Sequence, residues 1–248
     1  MAGSLGRICK GLKRLGSLIH PSASVSVRAT FARTMLQGLP SSFFLKPRDF
    51  SLPNSSWGSE MMRLYKHYNS QCEVEMEGGE TREGPWQRLP SYNRFLKYAP
   101  GGVYLSKIIQ SKARLFTRNC RDPGATFEYA LYFNSEEQKC VGIFQAGHLL
   151  EGPPGHVHGG AIATMIDTVT GAHATILSGP VVTANLNINY RRPIPLGSTV
   201  LIESSLDKKE GKKIFITCKV TSSDGSKVHT DTTALFVSIG VSHLLLGS

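Results

Sequence analysis

Acid is missing from the start of this 248-residue chain. No Asp or Glu precedes Asp49, whereas Arg7, Lys10, Lys13, Arg14, Arg28, Arg33, Lys46 and Arg48 all do. Without those eight, 20 basic residues face 18 acidic ones, so the net charge of +10 belongs mainly to the N-terminal segment. A positive balance confined to one end is poor ground for nucleic-acid binding, which needs a cationic surface on the folded domain. Cysteine is sparse: Cys9, Cys72, Cys120, Cys140 and Cys218 are odd in number and form no C-x-x-C pair. That excludes a disulfide framework or a zinc ribbon and suits a reducing compartment. No apolar run approaches the roughly 18 residues of a membrane span. A G-x-S-x-G elbow is absent, which disfavours a serine hydrolase. So are the glycine patterns that cradle nucleotide phosphates. His156 and His158 have no evident third ligand, so neither a metal nor any other cofactor is expected.

The acid-free segment carries Ser4, Ser17, Ser22, Ser24 and Ser26, and Leu5, Ile8, Leu12, Leu15 and Ile19 recur every three to four residues between its basic side chains. An Arg- and Ser-rich amphipathic N-terminus without acid reads as a mitochondrial targeting peptide, here residues 1–35, which would place the protein in the matrix. A basic helix lying on a membrane surface is the alternative. Residues 36–120 read as an extension that packs on the following domain. Within it, residues 57–68 form a helix capped by Ser55 or Ser56, residues 78–102 form loop, and residues 103–116 form a second short helix.

From about residue 121 the pattern changes. Phe127, Tyr129, Leu131 and Phe133 alternate with other residues, the mark of a half-buried strand, and residues 140–145 form a second. A long helix follows, stopped by Ser178-Gly179-Pro180. Four more strands come next, at residues 181–192, 198–207, 213–222 and 227–239, joined by short turns that require antiparallel neighbours. One long helix across one antiparallel sheet of about six strands is a two-layer α+β domain, residues 121–248. In the first strand after the helix, Ala184, Leu186, Ile188 and Tyr190 face the helix. Thr183, Asn185, Asn187, Asn189 and Arg191 form a polar row on the other side.

The long helix opens with HVHGGAIATMIDT, residues 156–168. At 100° per residue, Ile162, Met165, Val169, Ala172 and Ile176 make its core face. Around Asp167 lie Gly160, Ala163, Thr164, Thr170, Gly171 and Ala174, all small. A carboxylate in an apolar helix is costly unless paired or open to a cavity, although a solvated face also carries a lone Asp. Gly159 and Gly160 open the helix, where unpaired N–H groups can stabilise a developing oxyanion. Gly159 and Asp167 are eight residues apart, roughly 12 Å along the axis, too far to act on one carbonyl. Two antiparallel copies of the helix remove that obstacle and give a symmetric dimer two shared sites.

These motifs, HGGAIATMID and TANLNINYRRP, together with the strand–helix–strand order over roughly residues 120–240, resemble a hot-dog-fold acyl-coenzyme A thioesterase. The basic N-terminus and the phrase EGPPGHVHGG point within it to the mitochondrial thioesterase superfamily members four and five, with five favoured. The resemblance implies hydrolysis of acyl-CoA, with long acyl chains favoured, to fatty acid and CoA. It implies that the Gly159 N–H holds the thioester carbonyl, that Asp167 of a facing subunit acts as general base or nucleophile, and that Thr183 holds the water. His158 would sit beside the carbonyl. Related enzymes often carry Asn or Gln where this chain has Gly152, a departure for which His158 is the available substitute. Gly160 would contact the substrate, and Asn189, Arg191, Lys212 and Lys213 would meet the CoA moiety, although lysines at a hairpin tip also serve solubility. A homodimer that can pair further into a tetramer is implied. Two other functions fit the same fold: a non-hydrolytic acyl-CoA-binding regulator, which would not need Asp167, and a hydratase or dehydratase using His158 with Asp167.

Overall fold

The structure, a computed structural model, describes residues 49–75, 81–89, 117 and 122–239. The acid-free segment and the helix expected at residues 103–116 lie outside these. In chain order the elements are α1 (Ser59–Ser70), β1 (Glu73–Glu75), β2 (Thr81–Glu83), β3 (Trp86–Leu89), β4 (Phe127–Asn134), β5 (Lys139–Ala146), α2 (Gly159–Ser178), β6 (Val181–Tyr190), β7 (Thr199–Glu210), β8 (Lys213–Ser222) and β9 (Val228–Ser238). Seven strands form one antiparallel sheet in the order β3-β4-β5-β7-β8-β9-β6, with β1 and β2 paired separately. The six strands expected from residue 127 onward are present. The seventh, β3, arises inside the stretch read as loop. There, Trp86 to Leu89 pair with the open edge of β4 from Asn134 to Leu131, and that pairing overrides the flanking Gly and Pro signals.

α2 packs on one face of the sheet through Ile162, Met165, Ile166, Val169 and Ala172, against Leu131, Phe144, Ile202 and Val220. Each such side chain contributes roughly 1.5–3 kcal/mol relative to exposure. Gly142 on β5 lets the helix come this close, because a Cβ there would stand 2.5 Å from Val169 Cγ2. Ile176, expected on this face, is 41% exposed, one turn past the part of α2 that the sheet covers. The helix ends at Gly179, whose φ of 76° and N–H bond to Thr175 O close the last turn. Among the described residues no helix is long and apolar enough to cross a membrane.

β4 was expected to be half-buried and is buried on both faces. Phe127, Tyr129, Leu131 and Phe133 face α2, while Ala130 and Tyr132 lie beneath Trp57, Met61, Leu64 and Tyr68 of the N-terminal segment. Glu128 fastens that segment down: its Oε2 accepts from Asn54 Nδ2 at 2.9 Å and Trp57 Nε1 at 2.8 Å, and its Oε1 accepts from Gly124 N at 3.0 Å. α1 itself begins at Ser59 behind Gly58, with no side-chain cap. The serine expected to cap it is engaged elsewhere, because Asn54 Oδ1 accepts from both the N–H and the hydroxyl of Ser56. Two bends also depart from regular alternation. β7 runs on to Glu210, leaving a two-residue turn at Gly211 and Lys212 in place of the five-residue turn expected. A bulge at Ala184 shifts the pairing of β6 with β9.

Candidate active site

The bulge decides what faces α2. Strict alternation puts Thr183 on the outer polar row with the asparagines. The extra residue at Ala184 instead turns Thr183 inward, on the same side as Leu186, Ile188 and Tyr190. Its hydroxyl then donates to Asp167 Oδ1 at 2.8 Å. Asp167 is half-buried at the middle of α2, between the half-buried Ala163, Thr164 and Gly171. Thr170 and Ala174, expected beside them, are buried, and the Thr170 hydroxyl is spent on Ile166 O. One carboxylate oxygen is thus fixed by Thr183, and the other is left without a hydrogen bond from the described residues.

The start of α2 is built differently from a bare pair of glycines. His158 is the N-cap, and its Nδ1 accepts from the N–H of Gly160 at 2.9 Å. Two things follow. The Gly160 N–H is occupied, whereas that of Gly159 has no acceptor among the described residues. A ring that accepts at Nδ1 carries its proton on Nε2, so this exposed side chain offers a donor at the start of the helix. The amide side chain that the resemblance suggests at Gly152 has no room, because a Cβ there would lie 2.7 Å from His158 Cα.

Tyr190 completes this corner and carries no sequence signal beyond its inward register. Its hydroxyl donates to Gly159 O at 3.0 Å, fastening the end of β6 to the first residue of α2. Next to it on the outer row, Asn189 Nδ2 and Arg191 Nε both donate to Asp231, a partner that sequence reasoning missed. The Arg191 guanidinium holds the Asp231 carboxyl below the usual carboxylate range. Lys212 and Lys213 lie elsewhere. Lys213 pairs with Val237 and Asn189 with Asp231, so the two groups are six residues apart along β9. At about 3.3 Å per residue that is roughly 20 Å, and within one chain no single phosphate touches both.

Residues 154–229 match the thioesterase superfamily. The chain is 45% identical over 193 residues to acyl-coenzyme A thioesterase THEM4 of Xenopus laevis, covering 78% of this chain and 82% of that one. It is 34% identical over 198 residues to acyl-coenzyme A thioesterase THEM5 of Homo sapiens, covering 77% and 76% respectively. Among solved structures it is similar to smu.793 of Streptococcus mutans bound to acetyl CoA. That likeness has 20% identity and a TM-score of 0.42, over 52% of this chain and 98% of the other.

Proposed function

As a member of the acyl-coenzyme A thioesterase family of the thioesterase superfamily, with its hot-dog fold, the chain hydrolyses acyl-CoA thioesters, and we propose that Asp167 and Gly159 do this chemistry between two copies of it. The observation that carries the assignment is the Thr183 hydroxyl fixing one oxygen of Asp167 on a face of small side chains. The free carboxylate oxygen takes a proton from water. The hydroxide formed attacks the thioester carbonyl carbon, whose oxygen becomes negative. The Gly159 N–H, with Nε2–H of His158, stabilises that oxyanion. When the intermediate collapses, the C–S bond breaks and the CoA sulfur takes the proton from Asp167.

A second copy is part of the reading because Gly159 and Asp167 stand on one helix roughly 12 Å apart. The open edge of β6 supports it. Among the described residues that strand pairs only with β9, and its Val182 and Tyr190 are exposed. Two copies joined there, with their α2 helices antiparallel, bring the helix start of one to the carboxylate of the other. The acid-free N-terminus supports delivery to the mitochondrial matrix, with residues 1–35 as the transit segment and 36–120 as the extension. Long acyl chains are the proposed substrates. Asn189 and Arg191 stand nearest the site as candidates for the CoA moiety, and Lys212 and Lys213 would reach it only from a neighbouring copy.

Free-thiol release from palmitoyl-CoA and linoleoyl-CoA is the deciding assay, with sedimentation equilibrium on the same protein. Turnover by a species of at least twice 27.1 kDa is expected. CoA binding without thiol release from any acyl-CoA would make the protein a binder, and an active monomer would remove the shared site. In Tyr190→Phe the ring stays and only the bond to Gly159 O is lost. kcat is expected to fall about two- to tenfold with little change in melting temperature, the scale of one hydrogen bond. Unchanged kcat would make Tyr190 a bystander.

A further inference from the structure

A cavity of about 590 Å³ opens at the start of α1, which lies on the sheet face opposite α2. Its walls are Gly58 to Glu60, the turn from Arg192 to Thr199, and the β8–β9 turn with Lys227 and His229. The frame is fixed from three directions. Gln145 accepts from Gly58 N at 2.8 Å and donates to Ser56 O at 2.9 Å. Arg63 donates to Ser223 O at 3.0 Å and to Glu60 Oε2 at 2.8 Å, so the acid in the wall is already neutralised.

Four groups facing this space lack partners. Arg192 and Lys227 are exposed cations whose side chains bond to nothing among the described residues. α1 has no side-chain cap, so the N–H groups of Ser59 and Glu60 are open. His229 is only 6% exposed, and its Nδ1 is tied to the main-chain oxygens of Pro193 at 3.0 Å and Arg192 at 3.4 Å. Because carbonyl oxygens only accept, Nδ1 is the donor and Nε2 the acceptor; Nε2 has no partner among the described residues, and its ring lines the cavity. An unpartnered acceptor nitrogen on a largely buried imidazole, two free cations and an uncapped helix start therefore meet in one place. Together they fit a hydrogen phosphate group, whose anionic oxygens accept from the cations and the helix N–H groups and whose P–OH donates to His229 Nε2. We infer that this cavity binds a phosphate group, held by Arg192, Lys227, His229 Nε2 and the first N–H groups of α1. The volume far exceeds one phosphate, so the group arrives attached to a small molecule. The site stands independently of the roles given to Asp167 and Gly159, which lie with α2.

Pyrophosphate titrated calorimetrically into the full chain tests this. One equivalent is expected to bind. The exposed pair of changes Arg192→Gln and Lys227→Gln is expected to weaken it at least about tenfold, the scale of lost charge-assisted bonds. Ser59→Pro removes one N–H at a helix position that tolerates proline, and weakens binding while circular dichroism stays unchanged. Two sources of phosphate are then separated by kinetics. If the nucleotide end of CoA occupies the cavity, the double variant raises KM for palmitoyl-CoA at unchanged kcat and leaves palmitoyl-pantetheine hydrolysis alone. If an independent phosphorylated molecule does, pyrophosphate binding falls and KM stays. Asp167→Asn is expected to bind pyrophosphate as the parent does, so loss of the catalytic assignment would not touch this one. No heat of binding, or equal affinity in parent and double variant, overturns the site.

Discussion

Asp167→Asn is expected to lower kcat for palmitoyl-CoA roughly 10²–10⁴-fold, the usual contribution of a positioned general base. The change is nearly isosteric and keeps an oxygen that can accept from Thr183, now at 2.8 Å from Asp167 Oδ1. Folding, assembly and KM are therefore expected to hold, which separates loss of chemistry from loss of structure. Thr183→Ala acts in a different way. It leaves the base but frees it to rotate, so a smaller fall in kcat is expected. Stopped-flow detection of thiol release, with CoA affinity measured in parallel, checks both. Full activity in Asp167→Asn would take this carboxylate out of the mechanism and leave the helix start as the only assigned part of the site.

The second large effect concerns stability. His173 is fully buried on α2, with Nδ1 2.9 Å from Ser204 Oγ. With the Ser204 hydroxyl donating to Cys140 O at 3.1 Å, its oxygen is left to accept from the Nδ1–H of His173. Its Nε2 has no partner. Burial pushes its pKa down from 6.5 to about 4. The unfolded chain thus binds a proton near pH 6.5 that the folded chain refuses until about pH 4. The stabilisation is fully present above pH 6.5 and is lost as pH falls through this window. Over the whole window the loss is about 3 kcal/mol, and by pH 5 about 2 kcal/mol. Urea denaturation at pH 7.5 and pH 5 is expected to show wild type losing that much more than His173→Leu. Equal losses in the two proteins would mean the site admits the proton.

Helix α2 and the strands from β4 onward were legible because each repeats a simple period over eight or more residues. What escaped has a physical pattern too. β4 reads as half-buried because its second face holds Glu128 and Asn134, and no local rule says that distant Trp57 and Asn54 will satisfy that carboxylate. β3 is too short for periodicity and exists because β4 offers an edge. Thr183 could be named from the HGG-to-strand resemblance, yet alternation placed it on the wrong face, since a one-residue bulge leaves no mark in composition. His158 was seen as a neighbour of the carbonyl. Its capping bond, which sets the tautomer, needs the ψ of 137° that only the folded loop supplies. Asp231 and the cavity at the start of α1 depend on contacts between remote segments and had no sequence signature, and of Tyr190 only the inward register could be read.

The place of β6 in the sheet has a consequence for the life of the chain before it is folded. β6 leaves α2 directly, yet it lies beyond β9 and, among the described residues, hydrogen-bonds to no other strand. A chain that has emerged only as far as β8 therefore contains Asp167 and Thr183 but lacks the strand to which β6 hydrogen-bonds. The dyad forms last, by closure over a long loop, when residues 228–238 arrive. Until then β6 is without its hydrogen-bonding partner. Any truncation before β9 therefore keeps Asp167 and Thr183 but removes the strand whose pairing with β6 brings them together.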